Sequence, residues 1–255
     1  MRVFRVFAIV SLAILATALF AAATSRSATA QVAPALSHQP PAFLIGHSSS
    51  LNWAGYSSYA GDGTFTDVKG SWTQPTGTCS RKTTYSSFWV GLDGYNSSTV
   101  EQLGTEADCS GGKPSYYAWW EIYPSPSNSI RGFTVTPGVT YTAEVKYLGG
   151  GSFALSLSGG GHSFSTTQTL ANPALSSAEW IAEAPSMCAG SCRVLPLTNF
   201  GKAHFSGSSA NGAAINNSAW QFDPLTMVTN GGTVKASTGP LTASGTAFDV
   251  TWAHS

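Results

Sequence analysis

Apolar and polar residues alternate with a period of two in short runs along most of this chain, and the 3.6-residue period of an amphipathic helix is nearly absent. The runs predict strands over residues 65–74, 85–93, 99–105, 116–123, 139–148, 153–158, 162–169, 178–183, 202–205 and 246–252. Gly149-Gly150-Gly151 and Gly159-Gly160-Gly161 bracket one run as the strand of a hairpin. No internal repeat is visible. Many short strands between such turn signals predict an all-β fold, an antiparallel β-sandwich of jelly-roll or concanavalin-like type with two curved sheets. One sandwich domain over 51–255 is the simplest division.

Because side chains alternate between the faces of a strand, the pattern also predicts which residues look the same way. Trp89 and Asp93 share one face of their strand, and Phe88, Val90 and Leu92 the other. Gln102 shares a face with Gly104 and Glu106. Tyr117, Trp119, Glu121 and Tyr123 stand together, as do Glu179, Ile181 and Glu183. Neighbouring strands would thus combine into one groove floored by Trp, Gln, Asp and Glu. Glu101 falls on the apolar face with Leu103, which suits a position at a strand start.

Ahead of the strands lies a different pattern. Arg2 and Arg5 precede an apolar run over 6–23, and Ala28-Thr29-Ala30 offers small residues for cleavage. Residues 1–30 therefore read as a secretory signal peptide, and a membrane anchor is the competing reading. Removal would leave about 225 residues, enough for one full core. Residues 31–50 are rich in Pro, Ser and Ala without periodicity and read as a linker or short pro-segment. The expected protein is secreted and extracellular, free of the membrane after cleavage, and monomeric.

Charge changes the picture next. Lys+Arg and Asp+Glu both number 12 in 255 residues, and the net charge is zero. No basic stripe exists, which argues against nucleic acid as a partner. Seven of the 12 acids (Asp93, Glu101, Glu106, Asp108, Glu121, Glu179, Glu183) fall in or beside aromatic strand segments. Carboxylates are costly to place there unless paired or hydrogen-bonded, so such a concentration points to use. Four cysteines in an exported chain imply two disulfides. The short spacing favours Cys188 with Cys192, leaving Cys79 with Cys109. The two other connectivities stay open. No His stands at ligand spacing from a Cys, so no metal site is expected.

The common hydrolase motifs are absent. The sequence has no Gly-x-Ser-x-Gly elbow, no His-Glu-x-x-His and no Asp-Thr/Ser-Gly. The five His (His38, His47, His162, His204, His254) lie outside the aromatic segments and read as solvated or locally bonded residues. A groove of carboxylates and aromatics suits glycoside hydrolysis by two acids. It also suits peptide hydrolysis by one acid with an amide stabilising the oxyanion.

Five stretches then carry a specific resemblance: Asn52-Trp53-Ala54-Gly55, Phe88-Trp89-Val90-Gly91-Leu92-Asp93-Gly94, Glu101-Gln102-Leu103-Gly104, Tyr117-Ala118-Trp119-Trp120-Glu121-Ile122-Tyr123-Pro124 and Ala178-Glu179-Trp180-Ile181-Ala182-Glu183. In this order they resemble the glutamic peptidases, or eqolisins, a group of secreted acid proteases. The resemblance implies a β-sandwich endopeptidase acting on protein or peptide substrates with no metal or organic cofactor. It implies a catalytic dyad of Gln102 and Glu183, with Glu179 as the fallback acid. It places Trp89, Asp93, Glu106, Trp119 and Glu121 in substrate-binding or supporting positions. The alternatives are a sandwich glycoside hydrolase using Glu121 and Glu183, and a non-catalytic carbohydrate-binding sandwich.

Overall fold

The structure is a computed structural model that describes residues 36–45, 48–189 and 191–255. The expected signal peptide lies outside the described residues. Strands and turns make up the fold, and no helix occurs among the described residues. One sheet runs in the order Gln221–Val228, Trp53–Tyr59, Ser177–Glu183, Ser87–Leu92, Val100–Ser110, Lys113–Tyr123 and Asn128–Ser129. The other runs His162–Thr169, Ser152–Gly159, Thr140–Gly149, Asp67–Thr73, Lys202–Ala210, Phe248–Trp252 and Val234–Thr238. Gln221–Val228 belongs to both. Its first half pairs with Trp53–Tyr59 and its last residues with Val234–Thr238. The all-β antiparallel expectation is met.

The two sheets meet through the apolar faces that alternation assigned. Phe88, Val90, Leu92, Leu103, Ala182 and Trp180 from the first sheet join Val68, Trp72, Tyr141, Val145, Leu155 and Phe205 from the second in one buried cluster. Removing this much aromatic and aliphatic surface from water is the main stabilising term, about 25 cal/mol per Å². Two indoles buried inside it are hydrogen-bonded. Trp72 Nε1 donates to Thr105 Oγ1 at 2.7 Å, and Trp180 Nε1 to the Lys69 carbonyl at 2.8 Å. A second aromatic cluster (Trp53, Trp89, Tyr95, Val100, Trp119, Ile181 and Leu225) lies on the opposite face of the first sheet. Covered on both faces, that sheet is more deeply buried than its polar residues alone would suggest.

Three strands differ from expectation for physical reasons. Trp53–Tyr59 is central and buried on both faces, so its sequence does not alternate. Gln221–Val228 carries Pro224, which disfavours a strand in a sequence reading. Val100–Ser110 extends past the expected end because it too is buried on both sides. Part of the stretch expected to be a linker is also ordered. Leu36–Ser37 pairs with Met187–Ser186, and Phe43–Ile45 pairs with Ser49–Ser50. Both belong to a compact unit spanning Pro34–Ser255. The disulfides are Cys79–Cys109 and Cys188–Cys192, the pairing that spacing favoured.

Candidate active site

Register brings the polar faces together. Glu183 stands opposite Ser87 on one side and Trp53 on the other. Ser87 in turn faces Glu106, which faces Tyr117. One step along, Trp89 faces Gly104, and Gly104 faces Trp119. Further on, Gly91 faces Gln102, and Gln102 faces Glu121. The groove floor is therefore the alternating face read from the sequence, assembled across five adjacent strands.

Glycine makes room for these side chains. A Cβ on Gly104 would lie 2.2 Å from the Phe88 carbonyl oxygen and 2.6 Å from Trp89 Cβ. Only a bare Cα there lets the Trp89 strand lie flat, so its indole can extend along the groove. The indole Nε1 donates to Glu183 Oε2 at 2.8 Å. Asn52 Nδ2 lies 3.5 Å from the other oxygen, Glu183 Oε1. On the far side, the Gln102 amide donates to Glu121 Oε2 at 3.2 Å. That bond turns the Gln102 nitrogen, not its oxygen, toward the groove.

One residue from the N-terminal stretch lies between these groups. The His38 carbonyl accepts from Gln102 Nε2 at 2.6 Å, and its N–H donates to Glu121 Oε2 at 3.0 Å. Its ring Nδ1 lies 3.2 Å from Glu183 Oε2 and its Nε2 3.4 Å from Glu106 Oε1. The imidazole stacks on Trp119 with centroids 3.6 Å apart and planes 7° off parallel. Gln102 and Glu183 thus hold the backbone carbonyl and the side chain of the same residue.

Burial governs the electrostatics. Gln102, Glu106, Glu121 and Glu183 are fully buried, and His38 is 1% exposed. Burial lifts Glu183 well above the usual carboxylate range, and the Trp89 and Asn52 hydrogen bonds pull against it. Burial raises Glu121 to about 7, with His38 opposing. Glu106 is raised well above its usual value by burial and by the neighbouring Asp108 charge, and Asp108 itself is pushed up to about 7 by burial. His38 moves the other way, down to about 4, because burial disfavours its cation. Each group is thereby held toward its neutral form.

The Peptidase A4 family profile matches residues 51–251. The chain belongs to that family. Membership makes it a glutamic endopeptidase, and its fold agrees. The crystal structure of scytalido-glutamic peptidase with a transition state analog inhibitor superposes with a TM-score of 0.67 and 21% identity, covering 79% of this chain and 98% of that one. SCP-B, a member of the eqolisin family in a complex with the tripeptide Ala-Ile-His, gives 0.64 and 19% over 79% and 98%. Aspergilloglutamic peptidase from Aspergillus niger gives 0.57 and 22% over 67% and 99%. No curated protein matches the chain.

Within this Peptidase A4 member, the other expected site residues divide. Trp89, Glu106, Trp119 and Glu121 line the groove around His38. Asp93 does not share the Trp89 face. It follows the strand end with φ of 66°, and its carboxylate accepts from the Leu175 and Ser176 amides at 2.7 and 2.8 Å. The left-handed turn takes the side chain out of the alternation. Glu179 lies four residues before Glu183 on the same face and accepts from Ser57 Oγ at 3.1 Å. Glu101, in the second position of its strand, is buried opposite Leu92, as its apolar-face parity required.

The solvated reading of the histidines fails at His38, which is buried. Its neighbours give no periodic signal, because an extended segment in a groove is held by someone else's faces rather than by its own. Asn52 and Ser87 were also missed as site groups. Asn52 binds the Gln39 and Pro40 carbonyls at 3.2 and 3.3 Å, and Ser87 Oγ accepts from Trp119 Nε1 at 3.1 Å. Asn52 begins one of the five motif stretches, which was the available clue. Ser87 lies on the Trp89 face by parity.

Proposed function

We propose that this chain is a secreted acid endopeptidase that hydrolyses peptide bonds with a dyad of Gln102 and Glu183. The observation that carries the proposal is the Gln102 amide nitrogen 2.6 Å from a peptide carbonyl oxygen, beside a carboxylate that contacts the same residue. An amide does not titrate, so Gln102 keeps its donor in acid. Glu183 reacts as its carboxylate, the form that the Trp89 and Asn52 hydrogen bonds favour against burial, and takes a proton from water while the water oxygen bonds to the scissile carbonyl carbon. The carbonyl π electrons move to oxygen, and the Gln102 N–H stabilises that oxyanion. Protonated Glu183 then gives its proton to the amide nitrogen as the C–N bond breaks. A carboxylic acid and an amine leave, and Glu183 is again a carboxylate.

Glu121 fixes the Gln102 amide plane, and Trp89 with Asn52 positions Glu183 and restrains its pKa. Residues 1–30 serve as the export signal in this reading, and 51–255 form the peptidase domain. Assay of a denatured protein and an internally quenched peptide across the acid range is the direct test. Gln102→Ala should lower kcat/KM by about 10²–10³, and Glu183→Gln should abolish turnover. Full proteolysis by Gln102→Ala would defeat the dyad. Cleavage of β-glucan without proteolysis would restore the glycosidase alternative based on Glu121 and Glu183.

A further inference from the structure

The geometry points to a histidine-selective pocket: the slot between the Trp119 face, Glu106 and Glu183 receives the imidazole of the residue whose carbonyl Gln102 holds, and His38 of the chain itself fills it. The inference rests on the peptidase reading of the groove and names the substrate class that groove prefers. Three features define the slot. Trp119 supplies a flat wall against which a planar ring stacks at 3.6 Å. Glu183 and Glu106 lie at the two ring nitrogens, 3.2 and 3.4 Å away. An imidazole carries its two nitrogens one carbon apart on a small flat ring, so a single stacked ring meets both carboxyl groups. A phenyl ring would gain the stacking and offer neither carboxyl group a polar contact. A lysine would reach one carboxylate and forfeit the ring contact.

The backbone of the occupant is also read. Its N–H goes to Glu121 and its carbonyl to Gln102. Asn52 collects the next two carbonyls, from Gln39 and Pro40. Leu36–Ser37 adds a short antiparallel pairing to Ser186–Met187. A peptide laid in the groove in this register has its side chain directed by the slot and its carbonyl directed by Gln102.

The test uses the full-length chain with His38→Ala, which removes the ring and leaves the backbone of residues 36–40 in place. Imidazole and toluene are the probes, a flat ring with two nitrogens and one with none, and binding is read by calorimetry. Imidazole should bind the variant at least tenfold tighter than toluene does, and at least tenfold tighter than it binds wild type, whose slot is filled. Equal binding of the two probes, or equal binding of imidazole by wild type and variant, overturns the inference. A measurement on wild type guards against a misfolded variant. Stacking on Trp119 should move the His38 ring protons upfield in the NMR spectrum, and ring protons at solvent-exposed positions overturn the pocket. Among substrates, kcat/KM should favour His over Phe before the cleaved bond, and Glu106→Gln should shrink that ratio. Cleavage indifferent to His overturns the pocket and leaves the peptidase reading. Selective binding with no cleavage does the reverse.

Discussion

Raising the pH should destabilise this protein, and the structure sets the size of the effect. A carboxyl group whose folded pKa lies above its unfolded value gives stability that is complete below the unfolded value. That stability is lost as pH rises through the folded one. Burial carries Asp108 from 3.8 to about 7 and Glu121 from 4.5 to about 7. At about 1.4 kcal/mol per pH unit, these amount to about 4 and 3 kcal/mol. His38 acts in the opposite sense. Its folded pKa is depressed from 6.5 to about 4, so its contribution of about 3 kcal/mol is present above pH 6.5 and lost as pH falls through 4. The balance between pH 4 and pH 8 is a loss on the order of 4 kcal/mol. Glu101, Glu106, Glu179 and Glu183 are raised as well and add with the same sign. Asp249, held low first by its hydrogen bond from His204, has the opposite sense, but its contribution changes only below about pH 4. At about 2–4 °C per kcal/mol for a chain of this size, Tm should fall by about 8–16 °C. Scanning calorimetry from pH 4 to pH 8 measures it directly. The decline should steepen in His38→Ala, which lacks the opposing histidine. A Tm that stays level or rises over this range would refute the assignment of these acids as neutral in the folded protein.

Other outcomes follow from single contacts. Trp89→Phe removes the Nε1 donor from Glu183, costing about 1.5 kcal/mol at the carboxylate. The acid limb of the kcat/KM profile should therefore move up by about one pH unit. An unmoved limb would count against Glu183 as the titrating base. Gly55 has φ of 147°, and a Cβ there would sit 2.0 Å from the Trp180 carbonyl oxygen. Gly55→Ala should lower unfolding stability by about 3 kcal/mol or more in urea titration. Cys79 and Cys109 close a loop of sequence separation 30, so the double Ser variant should lose about 3–4 kcal/mol by the same assay.

Period-two alternation by itself determined the all-β class and the composition of each strand face. That is why Gln102 with Glu106, Trp119 with Glu121, and Glu179 with Glu183 could be grouped before any strand pairing was known. Face parity is a local property of an extended chain, and it survives wherever a strand remains regular. Where the backbone leaves that geometry the reading ended, as at Asp93, whose left-handed φ sends its carboxylate to the Leu175 and Ser176 amides. Strands buried on both faces, such as Trp53–Tyr59, escaped for a related reason, since nothing selects alternation there. The partner of Glu183 was a matter of tertiary structure alone. Residues 145 positions apart meet because the N-terminal stretch crosses the first sheet, placing the His38 ring on Trp119 and its carbonyl on Gln102. No periodicity encodes a segment whose shape is imposed by the groove it lies in, and only the packed sheets revealed it.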